Sequence, residues 1–237
     1  LLKDRDETYN AALYKSLVTT PKEANQWFYQ EVPAFRKYGY TVLMESDLTY
    51  AANNIHNIAD LKAYAASVYN EVYPADAWVT DVTDRRNSLN RFISYHLVNK
   101  QLSSSKFIND YDTDHMIKTQ NMYEYIETMC PNTLLEVAKE RKTNKSNLFN
   151  YLNADKVVQL TSNYDNDASN GVYHEIDRIL EYNKDVDAYL SSKRLRFDAA
   201  SFFPELTNNN MRGSQYKANS SGAVVAASLH YQVPRNY

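Results

Sequence analysis

The chain has 237 residues, 43% of them hydrophobic and 23% charged, which is enough apolar material for one core with an appended piece. Its formal net charge of −3 leaves no basic footprint for nucleic acid or an anionic membrane. A single cysteine, Cys130, excludes an intrachain disulfide and a cysteine-based zinc site, and four glycines leave little from which to build a phosphate-cradling loop.

The first forty residues read as helical. "DETYNAALYKSLV" sets Tyr9, Leu13 and Leu17 on one stripe that Pro21 ends, and "EANQWFYQEVPAFRKYG" spaces Trp27, Phe28 and Val32 helically, with Gly39 as a C-terminal cap. "YTVLMESD" is a short β-run closing in turn residues. A helix follows, capped by Asp60 and stopped by Pro74, with Leu61, Tyr64, Val68 and Val72 on its buried face. A second, "NSLNRFISYHLV", places Leu89, Phe92, Ile93 and His96 on a shared face, which leaves Tyr95 pointing elsewhere as a partner contact.

From about Met122 the pattern turns to strands: "MYEYIETM", "NTLLEVAKERK", "KVVQL" and then "SNGVYHEIDRIL". In the last, Asn170 and Gly171 read as a tight turn using positive φ, and Val172, His174 and Ile176 share one strand face. Helices first and strands mostly after imply an α+β fold rather than alternating βαβ units. Beyond about Leu190 the chain is polar and loop-like, as in "NNNMRGSQYKANSSG", so residues 187–237 are expected to be an irregular extension or the start of a following domain. No apolar run is long enough to span a bilayer, and no repeat period recurs. The chain begins at Leu1 without a methionine, which reads as a processed or trimmed product.

Three of these stretches, in this order, resemble the fasciclin (FAS1) family. "YTVLMESDLTY" is similar to its first motif, with Asp47 at the turn, although Met44, Glu45 and Ser46 stand where the family has Ala-Pro-Thr. "LNRFISYHLV" is similar to the helix bearing its Tyr-His pair, here Tyr95 and His96. "SNGVYHEIDRIL" is similar to its closing strand, with Asn170, Gly171, His174, Ile176 and Asp177 in matching places. A "YPADAWVTDVTDRR" insertion separates the first two. The resemblance covers about residues 8 to 183 and implies a wedge of β-sheets flanked by helices, spanning residues 1–186 with the N-terminal helices included. It further implies a non-catalytic adhesion module outside the cytoplasm, with no cofactor. The 21 tyrosines and abundant asparagine look like surface lipoproteins of Bacteroidota. The expected partner is then a surface protein or an outer-membrane transporter complex. The alternative is a subunit capturing glycan or peptide for nutrient uptake, with membrane contact only through a lipid anchor absent from this chain.

His96 reads as a core histidine bonded to a backbone group, and His174 as a structural strand residue. Asp177 is expected to accept bonds from a turn, or to pair with Arg178 or Arg91, fixing the closing strand. "DYDTDH" spaces Asp110, Asp112 and Asp114 like the start of a calcium loop, but His115 and Asn121 replace the required Gly and Glu. "DNDASNG", with Asp165, Asp167 and Ser169, fails likewise, because Gly171 comes late and Ile176 replaces the closing Glu. No nucleophile elbow, zinc-binding helix or phosphate loop occurs. Trp78, with Tyr73 nearby and Asp76 and Asp81 flanking, is a candidate contact for a protein or a sugar; the competing role is to cap the core beneath the insertion.

Overall fold

The structure, a computed structural model, describes residues 39–108, 122–140, 143 and 145–186, together with the backbone of two short strand pairs nearer the termini. The "DYDTDH" stretch and nearly all of the chain past residue 186 lie outside the described residues. The two terminal pairs join Glu7–Thr8 to Phe35–Arg36 and Tyr216–Lys217 to Val224–Val225, both antiparallel. The first pair corrects the helical reading of the N-terminal segment at those residues. Pro33 removes a backbone N–H and biases its predecessor away from α geometry, so a helix through Phe35 was disfavoured from the start.

Strand β1, Tyr40–Glu45, is followed by the short helix α1, Asp47–Ala52, whose N-cap Ser46 accepts from the Thr49 amide. Helix α2 spans Ile58–Val72, and its cap is Asn57 rather than Asp60. The Asn57 side chain takes the Ala59 and Asp60 amides, while Asp60 reaches back to the His56 amide in a reciprocal arrangement that frees neither residue to move alone. Ala65 and Tyr69 are its buried centre, with Leu61, Tyr64, Val68 and Val72 half-buried around them.

Helix α3, Ser88–Tyr95, is capped by Asn87, whose Oδ1 accepts from the amides of Leu89 and Asn90. The Asn87 Nδ2 meanwhile donates to the Val79 carbonyl, so one buried side chain caps the helix and anchors the insertion before it. Asn87→Ala should therefore cost about 1–2 kcal/mol, read as a lowered denaturant midpoint, rather than the few tenths of an exposed surface change. Leu89, Phe92 and Tyr95 are buried on α3, whereas Ile93 is exposed, which rotates the buried face away from its expected position.

The chain then enters β2, Leu97–Val98, and after the 121-residue mark builds β3, Met122–Glu127, β4, Leu134–Glu140, β5, Lys145–Phe149, and β6, Val158–Gln159. Strands β3 to β6 form an antiparallel meander in that order. The last strands are β7, Asn166–Ala168, and β8, Gly171–Ile176. They join β1 and β2 in a second sheet of order β2-β1-β8-β7, in which β1 and β8 are parallel and the other pairs antiparallel. The fold is thus α+β. Antiparallel pairing of Leu160 with Ile176, and bonds from Thr161 to Glu175 and from Asp177 to Gln159, join the two sheets along one line.

Alternation explains the core. On β1, Leu43 and Glu45 face inward and Met44 outward; on β8, Val172, His174 and Ile176 face inward. The main core gathers Leu43, Tyr95, Leu135, Phe149, Ile176 and Leu180 from both sheets, and a smaller one gathers Ala65, Tyr69, Leu89 and Phe92 between the helices. Tyr182 packs against both. Its ring stacks with Tyr69 and meets Tyr95 edge-on.

The strand that begins at Gly171 ends at Ile176, four residues short of the expected Leu180. Its glycine is there for a different reason than expected. Gly171 does not use positive φ, and the two-residue turn before it is Ser169–Asn170, since Gly171 pairs with Ala168. What it supplies is space: a Cβ there would lie 2.1 Å from the Tyr40 carbonyl oxygen.

Candidate functional site

The three stretches singled out from the sequence converge on one buried carboxylate, Glu45 at the end of β1. Its Oε1 lies 2.8 Å from His96 Nε2 and accepts the Leu180 amide at 3.0 Å, while its Oε2 accepts the Tyr50 hydroxyl at 2.9 Å. The other imidazole nitrogen, Nδ1, lies 2.7 Å from the Phe92 carbonyl. Both ring nitrogens therefore face acceptors, and only an imidazolium can donate to both. Burial pushes the Glu45 carboxyl up, but the His96 charge and hydrogen bond, the Leu180 amide and the Tyr50 hydroxyl together hold it below its ordinary value. Burial likewise disfavours charge on His96, and Glu45 outweighs it to hold the imidazole above its ordinary value. The pair is an ion pair inside the protein, tying α3 and the segment after β8 to β1. The backbone partner of His96 was expected; the carboxylate was not. Glu45 shares strand parity with inward-facing Leu43, so an acid there already demanded a buried partner.

His174 is the opposite case. Its Nε2 donates to the Leu102 carbonyl at 2.9 Å, and its Nδ1 accepts from the Asp165 amide at 3.1 Å, so the ring is neutral. Burial lowers its pKa, against the weaker pull of the Leu102 carbonyl and the Asp165 carboxylate. Asp165 itself spends both oxygens on Ser104, one on the amide and one on the hydroxyl. That is a loop latch, and among the described residues no cluster of acids, histidines or cysteines is arranged to hold a metal.

The remaining candidates separate clearly. Tyr95 is wholly buried, so it cannot be the partner contact its helical position suggested; its ring fills the core against Tyr182. Asp47 lies exposed in the first turn of α1, where a carboxylate favours the positive end of the helix dipole. Asn170 accepts the Tyr40 amide through its carbonyl, and Asp177 accepts the Gln159 amide at 2.8 Å, which docks the end of β8 on β6. Arg178 and Arg91 are not its partners: they bond the Asp155 carbonyl and the Asp76 carboxylate.

Trp78 does not cap the core. It is 70% exposed, yet held: its Nε1 donates to the Ala75 carbonyl, and the Arg86 guanidinium lies 5.5 Å from the ring centroid. Arg86 is itself gripped in two-pronged fashion by Asp84. Tyr73 is half-buried beneath Arg91, which stacks 3.8 Å from its ring while bonding Asp76. The acids flanking Trp78 are thus committed, Asp76 to Arg91 and Asp81 to Thr83, whose amide and hydroxyl hold its carboxyl below the ordinary value. Exposed Val82 adjoins the same region, and Asn90, which bonds the Val82 carbonyl, stands one helical turn before exposed Ile93. Trp78 and the Arg86 beside it thus form an exposed aromatic–cationic knob, its ring held by the Ala75 carbonyl. Among the described residues, no helix is long and apolar enough to cross a membrane.

No protein-family model matches the chain, and no curated protein matches it either. Among solved structures, a FAS1 domain pair from the insect cell adhesion molecule fasciclin I is similar over 72% of this chain at 15% identity, with a TM-score of 0.33. The matched region spans 48% of that structure's length.

Proposed function

We propose that the chain is a non-catalytic binding module of fasciclin type, formed by residues 1–186, which engages a protein partner at a cell surface through the knob around Trp78. One observation carries the reading. A large aromatic ring is 70% exposed yet fixed by a hydrogen bond and a clamped arginine, so little side-chain freedom would be lost on binding. Tryptophan and arginine are the residues most enriched at interface hot spots. The fasciclin reading is supported by its three sequence stretches meeting in space, β1 paired along β8 and both tied to α3 through Glu45.

The candidate histidines support a holding rather than a transforming role, because His96 and His174 are buried and bonded on both ring nitrogens. A lipid-anchored, outer-membrane setting rests on the tyrosine- and asparagine-rich composition and is part of the same proposal; palmitate labelling of the full gene product tests it. The partner proposal is tested by affinity capture from native membranes. Trp78→Ala should weaken capture of a partner about thirtyfold, a loss of about 2 kcal/mol, with unchanged thermal melting. Capture that survives the substitution removes the knob from the interface. The sugar alternative is weaker at this place, because both acids that would bond hydroxyls are already engaged.

A further inference from the structure

A cleft of about 310 Å³ lies on the line where the two sheets join. It is walled by Ser104, Ser105, Ser146, Asn147, Gln159 and Tyr164, with Leu160 and Thr161 completing it. We propose that this cleft binds a neutral carbohydrate, separately from the protein contact at Trp78.

The chemistry of the wall selects the ligand class. None of its lining residues is charged, so a phosphate, sulfate or carboxylate ligand would find no cation there. Leu160 is its one aliphatic residue, too little for a lipid or a flat apolar ligand. What remains is a set of hydroxyls and side-chain amides, each able to donate and accept, beside one tyrosine ring. Tyr164 is 48% exposed, and an amphipathic ring of this kind offers a flat apolar face with a polar tip. Sugars present that combination: a ring of hydroxyls with an apolar face.

The backbone argues against an added peptide strand. Of the three amides from Gln159 to Thr161 two are already spent, Gln159 on the Asp177 carboxylate and Thr161 on the Glu175 carbonyl, and the single Leu160 amide between them, in a bridge to Ile176 that does not use it, cannot seat a strand. Recognition therefore runs mainly through side chains. The Ser146 hydroxyl, the Gln159 side-chain amide and the Tyr164 hydroxyl have no hydrogen bond to any described residue.

The Ser104–Asn147 side of the wall is also fixed in advance. Asn147, at φ 55°, donates from Nδ2 to the Ser104 carbonyl at 2.9 Å, and Asp165 latches Ser104 from the other side. The same Asp165 amide rests on buried His174, so the cleft is braced by the closing strand. A preset site loses less conformational freedom on binding, which is what weak, hydroxyl-by-hydroxyl recognition requires.

The test is binding of the full chain to an array of immobilised neutral oligosaccharides, with sialylated and sulfated ones alongside. At least one neutral oligosaccharide should bind, and Tyr164→Ala and Gln159→Ala should each weaken it about tenfold or more, with melting unchanged. Trp78→Ala should leave that binding intact, which keeps this outcome separate from the fate of the partner surface. The proposal is overturned if no neutral oligosaccharide binds, if only acidic ones do, or if binding survives both cleft substitutions.

Discussion

Replacing His96 with alanine should cost the fold about 3–5 kcal/mol, enough to consume much of a typical domain's stability. The reason is less the lost attraction than what is left behind. Glu45 would remain buried with its charge answered only by the Leu180 amide and the Tyr50 hydroxyl. Glu45→Ala should also destabilise, but less, because the buried imidazole can shed its proton and keep its bond to the Phe92 carbonyl. Replacing both residues together with apolar ones of similar volume should cost much less than the sum, because a buried pair and a well-packed apolar pair are close in free energy. Chemical denaturation of the two single variants and the double one measures all three. His96→Ala within about 1 kcal/mol of the parent would mean the pair is not buried and charged.

The pair also sets a pH window. Glu45 has a folded pKa below its ordinary 4.5, so its contribution is complete above that value and is lost as pH falls through the folded pKa. His96 has a folded pKa above its ordinary 6.5, so its contribution is complete below 6.5 and is lost as pH rises through the folded pKa. Both are whole between about pH 4.5 and 6.5. His174 acts in the opposite sense: its folded pKa is lowered, so its neutral ring favours folding above 6.5 and that advantage fades as pH falls below it. The penalty for His96→Ala, taken as a difference from the parent, cancels the His174 effect. It should be larger at pH 5.5 than at pH 9.

How far the sequence reveals this architecture varies element by element. Strand β1 and helices α2 and α3 were legible from their periods, helped in α2 by terminating Pro74, whereas the caps Asn57 and Asn87 were not read from the sequence. The rotation of α3 was not. Leu89, Phe92 and Ile93 fit one helical face, Leu89, Phe92 and Tyr95 an adjacent one, and the choice depends on Tyr182, distant in sequence, which meets Tyr95 edge-on. Strand β5 was missed because only its last two residues are buried, and Asn147 in its middle has positive φ. The cleft could not be read at all, since its walls come from around residues 104, 146, 160 and 164, and nothing in any one of them is unusual.

Gly171 gives the sharpest separation between two physical readings of one residue. A turn needing positive φ would tolerate Asn at this position, because asparagine visits that region at modest cost. Close backbone approach tolerates nothing with a Cβ. The ideal Cβ would stand 2.1 Å from the Tyr40 oxygen and 2.8 Å from its carbonyl carbon and amide nitrogen, all backbone atoms that cannot swing aside. The clash falls on the first rung of the parallel β1–β8 ladder, where Gly171 pairs with Tyr40, so relief means spreading the strands that carry Glu45 and His174. Gly171→Ala, Gly171→Asn and Gly171→Val should therefore all destabilise by about 3 kcal/mol or more, near the upper end of overpacking costs, with little rank order among them. Should asparagine melt close to the parent while valine does not, backbone conformation rather than space fixes the glycine.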